Sequence, residues 1–336
     1  PTTNGTIYKT TRIHRMNFSF YINNCTNSGG PGIFGNRLKR QLEKNGHTFV
    51  NPYTSNEIPK VNLSIIQGER IKGCPFNPLR LDGLYFDSLN PDNDKLNAPI
   101  FKSFKELDYI VYQSDFSRQM YKAFVGQRPS CTIPNGIDQK EYLANAKDLK
   151  TNNEIFSRYS KICVASASWR RHKRLEEIIR AFRSPRLKDV LLIGLGGFEY
   201  IKDKSNLSPN VLLTPLFEPH QTSSIYMMAD AMIHIAWLDW CPNTVVEALS
   251  CGVPVLCSHN GGTKELVKEN GLVVQIEDDY KIGERVPLYR PPAIDEDELI
   301  NGILKIVDAP KGFERPDLDI QYVASEYEKY LAPQNT

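Results

Sequence analysis

The chain lacks what several large protein classes require. No stretch of about 18 consecutive apolar residues occurs in its 336 residues, so nothing reads as a membrane-spanning helix, and no apolar signal-peptide core is visible near the N-terminus. An excess of one charge is also missing. Forty-one basic residues against 39 acidic ones leave a net charge of +2, which gives no overall field for nucleic acid, so any anion site has to be local. Cysteine shows no disulfide pattern: the seven Cys are odd in number and lack a CxxC. Cys131, Cys163 and Cys257 lie in apolar runs that read as buried strands, as expected of free thiols in a reducing, cytoplasmic compartment. Six dispersed His add no zinc spacing, so neither a metal nor another cofactor is implied.

What remains is ordinary globular composition, 40% hydrophobic and 24% charged, on a length that suggests two domains at about 150 residues each. The polar stretch "PTTNGTIYKTTRIHR" over residues 1–15 is expected to be a leader or expression remnant, with Met16 as the native start. "MNFSFYINN" then reads as a strand, "CTNSGGPG" as a glycine loop, and "IFGNRLKRQLEKNG" as a helix spaced through Ile33, Leu38 and Leu42 and stopped at Gly46. Further strands follow at "HTFV" and "VNLSIIQG", a strand and Ser/Asp-started helix at "LDYIVYQSDFSRQMYKAFVG", and a strand and turn at "SCTIPNGID". From "KICVASAS" to "GLVVQI" strands and helices alternate again. Such alternation implies parallel sheets covered by helices, here two doubly wound Rossmann-like α/β domains facing a cleft. The expected division is a first domain over 16–137, a linker over 138–153, a second domain over 154–315, and a terminal helix within 316–336 that crosses back to the first domain.

"DWCPNTVVEALSCGVPVL", from Asp239 to Leu256, carries the strongest chemical signal. A strand ends at "AWLDW" and a helix starts at "TVVEALSCG", so Cys241, Pro242 and Asn243 form the turn. The N–H groups of Asn243, Thr244 and Val245 then leave the helix N-terminus unpaired and offer oriented donors and the positive dipole end to a phosphate. Glu247, one turn on, is suited to a vicinal diol such as a ribose; the plainer alternative is an acid that complements the helix dipole.

The stretch resembles the C-terminal signature of the retaining GT-B glycosyltransferases of the large family-four type: an acid, seven residues, a second Glu, a "GVPV" run, a glycine pair and a further Glu. Glu247, Gly261 with Gly262, and Glu265 match, while Asp239 stands where that family has Glu. The resemblance extends upstream. "ASASWRRHKRLEEIIRAF" is similar to the family element whose Arg and Lys hold the diphosphate; Lys173 matches the Lys, Ser168 occupies the Arg position, and Arg170 or Arg171 is the expected substitute. A solvated basic face is the alternative. "IPNGID" resembles the interdomain segment, with Asn135 and Gly136 opening the linker, and "GGPG" at 29–32, including Gly30 and Gly32, the first glycine loop. "LTPLF" at 213–217, with Leu216, resembles the loop that touches the base. The His that the family often uses in its first lobe is matched by neither His14 nor His47; Asp82 in "RLDG" is the candidate there, with a structural turn as its alternative.

The resemblance implies a metal-independent retaining transfer of a sugar from a UDP- or GDP-sugar to a hydroxyl of a glycan acceptor. In it Lys173, Arg170, Asp239 and Asp82 act at the reacting groups. Gly30, Gly32, Arg171, Leu216, Cys241, Pro242, Asn243, Thr244, Glu247, Gly261 and Gly262 hold the substrates. Two rivals are a nucleotide-sugar epimerase on the same scaffold and a non-catalytic sugar-nucleotide or glycan-binding protein. "DND" at 92–94 reads as a polar turn rather than a metal motif, and "GLGG" at 194–197 as no dinucleotide fingerprint.

Overall fold

The computed structural model of the chain describes residues 15–22, 30–144, 146–147, 149, 154–199, 207–214 and 219–331. The first half runs β1 (Asn17–Ile22), α1 (Gly30–Lys44), β2 (Thr48–Phe49), β3 (Val61–Ile65), β4 (Pro78–Leu81), α2 (Asn93–Glu106), β5 (Tyr109–Tyr112), α3 (Asp115–Val125) and β6 (Ser130–Thr132). The second runs α4 (Gln139–Ala144), α5 (Glu154–Ser157), β7 (Lys161–Ser166), α6 (Leu175–Ala181), β8 (Val190–Leu195), β9 (Val211–Thr214), α7 (Pro219–Met228) and β10 (Ala231–His234). It continues with α8 (Asn243–Ser250), β11 (Val255–Ser258), α9 (Thr263–Val267), β12 (Gly271–Val274), α10 (Glu296–Ile306) and α11 (Ile320–Leu331). The strands form two six-stranded sheets in the orders β2-β1-β3-β4-β5-β6 and β12-β11-β10-β7-β8-β9. Every pairing is parallel. The fold is therefore α/β with two doubly wound, Rossmann-like sheets.

Buried strands explain why the sequence runs are apolar throughout rather than alternating. In β7, Cys163 and Ala165 enter one core cluster and Ile162 and Val164 another, so successive side chains fill opposite faces of the sheet. The first sheet divides likewise: Val111 joins the cluster under α1, while Ile110 and Tyr112 join the one under α2 and α3.

Three segments differ from the sequence reading. The glycine loop is shorter than expected because α1 already begins at Gly30; Pro31 is tolerated in that first turn, where its missing N–H has no intrahelical partner to lose. The buried stripe of α1 is Phe34, Leu38 and Leu42, whereas Ile33 is exposed and faces the cleft. The "DND" turn ends within the start of α2, a helix whose buried face mixes Asn93, Asn97 and Ser103 with Ile100 and Phe104, so its apolar period is broken. The expected linker over 138–153 opens with a helix, Gln139–Ala144, and its residues 145, 148 and 150–153 lie outside the described residues.

The chain crosses between the domains twice, side by side. Ile137 N–H donates to Leu318 O at 3.0 Å and Ile320 N–H donates to Ile137 O at 2.8 Å. Beyond that crossing α11 buries Val323, Tyr327 and Leu331 against Phe34, Leu38 and Leu42 of α1. Gly136 is required there: a Cβ would sit 2.8 Å from Val323 Cγ2.

Candidate functional site

In each sheet the first strand is the point from which the chain winds both ways, and ligands of such sheets bind outside the strand ends at that switch point. The two switch points, β1/β3 and β7/β10, contribute to one cavity of about 770 Å³. Gly30, Pro31, Ile33 and Ile66 reach it from the first sheet, and Ser168, Arg170, Lys173 and the loop from His234 to Thr244 from the second.

Two tight turns aim the second domain's charges. After β7 the chain makes a 3-10 turn at Arg171–Lys173 and places Arg174 at φ 61°. After β10, Leu238 adopts φ 59°. Left-handed backbone at such residues costs about 1 to 3 kcal/mol and persists only where packing over-determines it. Here Arg174, fully buried, is paired with Glu277 at 3.2 Å and donates to Pro292 O at 3.1 Å. Leu238 and Trp237 are packed into the first domain's core cluster. Trp237 N–H also donates to His172 O at 2.8 Å, joining the two turns.

Between these turns Lys173 Nζ contacts Asp239 Oδ2. The same oxygen meets His234 Nε2 at 2.9 Å, and Asp239 Oδ1 accepts from the Trp240 N–H at 2.9 Å. Burial alone raises the pKa of Asp239, but Lys173 and His234 outweigh it and hold the carboxyl well below the ordinary carboxylate range. Burial lowers the pKa of His234, against the pull of Asp239. Asp239 is thus a buried anion held by three protein donors, two on Oδ2 and one on Oδ1. Gly261 and Gly262 lie behind this turn rather than on the cavity wall: Gly262 N–H donates to Asp239 O at 2.7 Å, and a Cβ on Gly261 would come 2.8 Å from Asp239 O.

The helix tip follows directly. Pro242 caps α8 without a side-chain bond, and its carbonyl accepts from Val245 N–H at 3.1 Å and Val246 N–H at 3.2 Å. Val245 is therefore engaged, and the first-turn donors at the cavity end are Asn243 and Thr244. Glu247 lies one turn on, on the face of Asn243, as the four-residue spacing requires. Its Oε1 meets Arg37 Nη2 of α1 at 3.2 Å across the cleft. Burial raises the pKa of Glu247 and Arg37 opposes the rise.

On the opposite wall Asp82 is tied to Arg80, which is fully buried and lies 4.3 Å over the Phe34 ring. Arg80 also donates to Asn135 Oδ1, and to Gln113 Oε1 at 3.3 Å. Asn135 passes the connection to the second domain, its Nδ2 donating to Asn243 Oδ1 at 2.8 Å and to Cys241 O at 3.2 Å. Gly83 admits the Trp240 indole, since a Cβ there would sit 2.1 Å from Nε1. A further bond across the interface comes from Glu265: its two carboxylate oxygens accept from Asp115 N–H at 2.5 Å and Phe116 N–H at 2.8 Å, at the N-terminus of α3.

Of the residues singled out in the sequence, Gly30, Asp82, Arg170, Lys173 and Asp239 line the cavity, together with Cys241, Pro242, Asn243, Thr244 and Glu247. Gly32 is buried inside α1. Arg171 is drawn away by Glu176 and Glu177, each at 2.9 Å, which leaves Arg170 as the cavity-facing cation of the pair. Gly261 and Gly262 buttress the Asp239 turn, and Leu216 lies outside the described residues. Sequence reasoning passed over Arg37, Arg80, His234 and Trp240. A His in the apolar run "AMIHIAW" and an Arg in "PLRL" were the available signals, being polar residues in strands buried on both faces. Among the described residues no cluster of three or more His, Cys, Asp or Glu is placed to hold a metal ion, and no helix is long and apolar enough to cross a membrane.

Comparison with known proteins fits this geometry to a class. Residues 147–287 match the family described as Glycosyl transferases group 1. Among solved structures the chain is similar to sucrose-phosphate synthase from Thermosynechococcus elongatus, with a TM-score of 0.63, 13% identity and 94% of each chain covered. It is similar to Anabaena HepE in complex with UDP-glucose, with a TM-score of 0.64, 15% identity, 95% of this chain and 100% of that one. A UDP-forming α,α-trehalose-phosphate synthase from Burkholderia xenovorans gives a TM-score of 0.59 at 12% identity, over 91% of this chain and 79% of that one. At such identities these likenesses are likenesses of fold. No curated protein matches the chain significantly. A group 1 glycosyltransferase module on the second of two Rossmann-like sheets defines the class: the protein is a glycosyltransferase of GT-B architecture.

Proposed function

We propose that the protein is a retaining, metal-independent glycosyltransferase that moves a sugar from a UDP- or GDP-sugar to a hydroxyl of a glycan acceptor. The observation that carries the reading is the meeting of Lys173 and the α8 tip in one interdomain cavity. A departing nucleoside diphosphate gathers negative charge at its phosphates as the anomeric carbon becomes positive. Preorganised donors aimed at that charge are usually the largest single contribution to such catalysis. Lys173, Arg170 and the amides of Asn243 and Thr244 are the donors, and Glu247 takes the ribose hydroxyls. Asp239, occupied by Lys173, His234 and Trp240, positions Lys173, while Asp82 faces the sugar from the first domain. Attack comes from the face the diphosphate leaves: the acceptor oxygen forms the new bond to the anomeric carbon as the bond to phosphate breaks, and the acceptor's proton goes to the departing phosphate oxygen. No protein nucleophile enters.

Of the similar structures, HepE is seen in complex with UDP and with UDP-glucose and the trehalose-phosphate synthase is UDP-forming, which favours a uridine donor. The six described cysteines are unpaired, which supports a reducing, cytoplasmic setting. A thermal-shift series with UDP, GDP and their sugars tests the reading, since a ligand that binds the native state raises its apparent stability. The expected outcome is a concentration-dependent rise with one diphosphate family. No rise with any of them would overturn the proposal.

A further inference from the structure

A second cavity, of about 470 Å³, opens on the first domain and shares no residue with the one just described. Its wall is aromatic and mixed in charge. Tyr21 on β1 is 37% exposed and Tyr53, in the loop after β2, is 70% exposed. Phe20 and Phe49 stand beside them. Phe49 stacks on Phe18 with centroids 5.5 Å apart, and Lys39 Nζ lies 5.2 Å from its ring centroid. The loop under Tyr53 is a formed turn: Tyr53 N–H donates to Asn51 Oδ1 at 3.0 Å and Ser55 N–H to Asn51 O at 3.0 Å. The ring is thereby held out at the rim of a concavity. Asn51, Lys39 and Glu69 add one amide, one cation and one anion to the same wall.

Two segments connect this cavity to the catalytic one. Ile66 lines the first and Glu69 the second, a separation of three residues or at most ~11 Å of chain. On α1, Ile33 lines the first and Lys39 the second, ~9 Å apart along the helix axis. Gly68 lies between Ile66 and Glu69 in the chain, and an added Cβ there would come 2.1 Å from Ser64 Oγ and 3.5 Å from Tyr21 Cδ1. Only glycine fits against the buried Ser64 there, and Gly68 N–H is fixed to Ser103 Oγ at 3.0 Å.

We infer that this second cavity is a distal acceptor subsite, taking a neutral sugar unit against Tyr21 and Tyr53 while the hydroxyl to be glycosylated lies in the catalytic cavity. The inference rests on the glycan-acceptor reading above and adds the acceptor's minimum length. The C–H face of a pyranose is apolar and weakly electropositive and suits the negative face of an aromatic ring. Its rim of hydroxyls finds donors in Lys39 and Asn51 and an acceptor in Glu69. One cation balanced by one anion favours a neutral glycan over an acidic one. A gap of ~9 to 11 Å is spanned by about two linked rings, so an acceptor of three or more units reaches both cavities. Contacts joined in one chain reinforce each other through effective concentration.

The test is binding of the full chain, with UDP present, to an array of neutral α- and β-linked oligosaccharides of graded length, using wild type, Tyr53→Ala and Tyr53→Phe. Retention is expected only from trisaccharides upward, weakened about tenfold in Tyr53→Ala and kept in Tyr53→Phe, which preserves the ring. Tyr53 is exposed and outside the catalytic cavity, so its variants fold and give the same nucleotide thermal shift as wild type. Retention of no oligosaccharide, retention without a length threshold, or equal retention by Tyr53→Ala each overturns the subsite. A missing nucleotide shift in wild type sinks the functional reading itself; a normal shift with a negative array sinks the distal subsite alone.

Discussion

In the proposed transfer, Lys173 carries the heaviest chemical demand of any single residue. Its ammonium is held against Asp239, which is also bonded to His234 and to the Trp240 amide. On the proposed reading, those two remaining donors keep the Asp239 charge satisfied while Lys173 turns to the diphosphate. Lys173→Ala is therefore expected to lower kcat/KM by about 2 to 4 kcal/mol of transition-state stabilisation. It also leaves Asp239 short of one partner, so a modest fall in stability is expected beside the kinetic loss. Turnover unchanged in a folded variant would remove Lys173 from the site. The position of Asp239 was legible from its spacing to Glu247. Its occupation by His234 was not, because the hydrogen bond depends on how β10 leaves the sheet and on the left-handed turn at Leu238.

Helix tips and strand ends bring these residues together. The tip of α8 supplies donors to the cavity, whereas the tip of α3 is already occupied by Glu265 of the other domain. The Glu265 carboxylate complements the positive end of α3 and satisfies two amides that no intrahelical bond reaches. Burial raises the pKa of Glu265 while those amides hold it down. Glu265→Gln keeps one carbonyl acceptor and loses the charge. A destabilisation of about 1 kcal/mol is expected, read as a lower denaturation midpoint with nucleotide affinity preserved. A midpoint equal to wild type would show that the contact contributes nothing to holding the domains together. From the sequence Glu265 was visible as the last acid of a motif; its partner lies about 150 residues away in the chain and no local pattern reports such a distance.

For the whole molecule, stability links to pH through groups whose native surroundings hold them away from their ordinary pKa. His172 lines the cavity and lies 5.2 Å from Tyr289, ring centroid to centroid. Burial first, and then the Lys173 charge, push its pKa down to about 3. The unfolded chain takes up a proton near the ordinary histidine value, about 6.5, and the native state does not until about pH 3. Between those values the unfolded state binds more protons, so stability is full above about 6.5 and is lost as pH falls. Asp317, drawn to about 2 chiefly by its hydrogen bonds from Arg315, adds a loss in the same direction below the ordinary carboxylate range. Unfolding free energy measured by denaturant is expected to drop between pH 7 and pH 5, and His172→Gln, which stays neutral, to flatten that drop by about 1 to 2 kcal/mol. An unchanged slope in the variant would contradict a neutral buried His172.

The sequence by itself determined the alternation of strands and helices, and with it two parallel sheets, because side-chain periodicity and cap residues are local and each element's buried stripe is written in its own residues. It also marked the helix tip after Pro242 and the lysine after β7, since a turn between a buried strand and a helix leaves amides and charges at a strand end. It left α2 unmarked, since that helix's inner face mixes Asn97 and Ser103 with Ile100 and Phe104, and it made the glycine loop before α1 too long. Only the tertiary structure decided which cation faces the cavity, because Arg171 is drawn to Glu176 and Glu177 and Arg170 is not. It alone decided that the paired glycines support the Asp239 turn, and that Arg80, Asn135 and Asn243 form one chain of bonds across the cleft. Those outcomes depend on distances between residues far apart in sequence, fixed by the register of two sheets and by α11 returning to the first, and such distances exist only once the domains have packed.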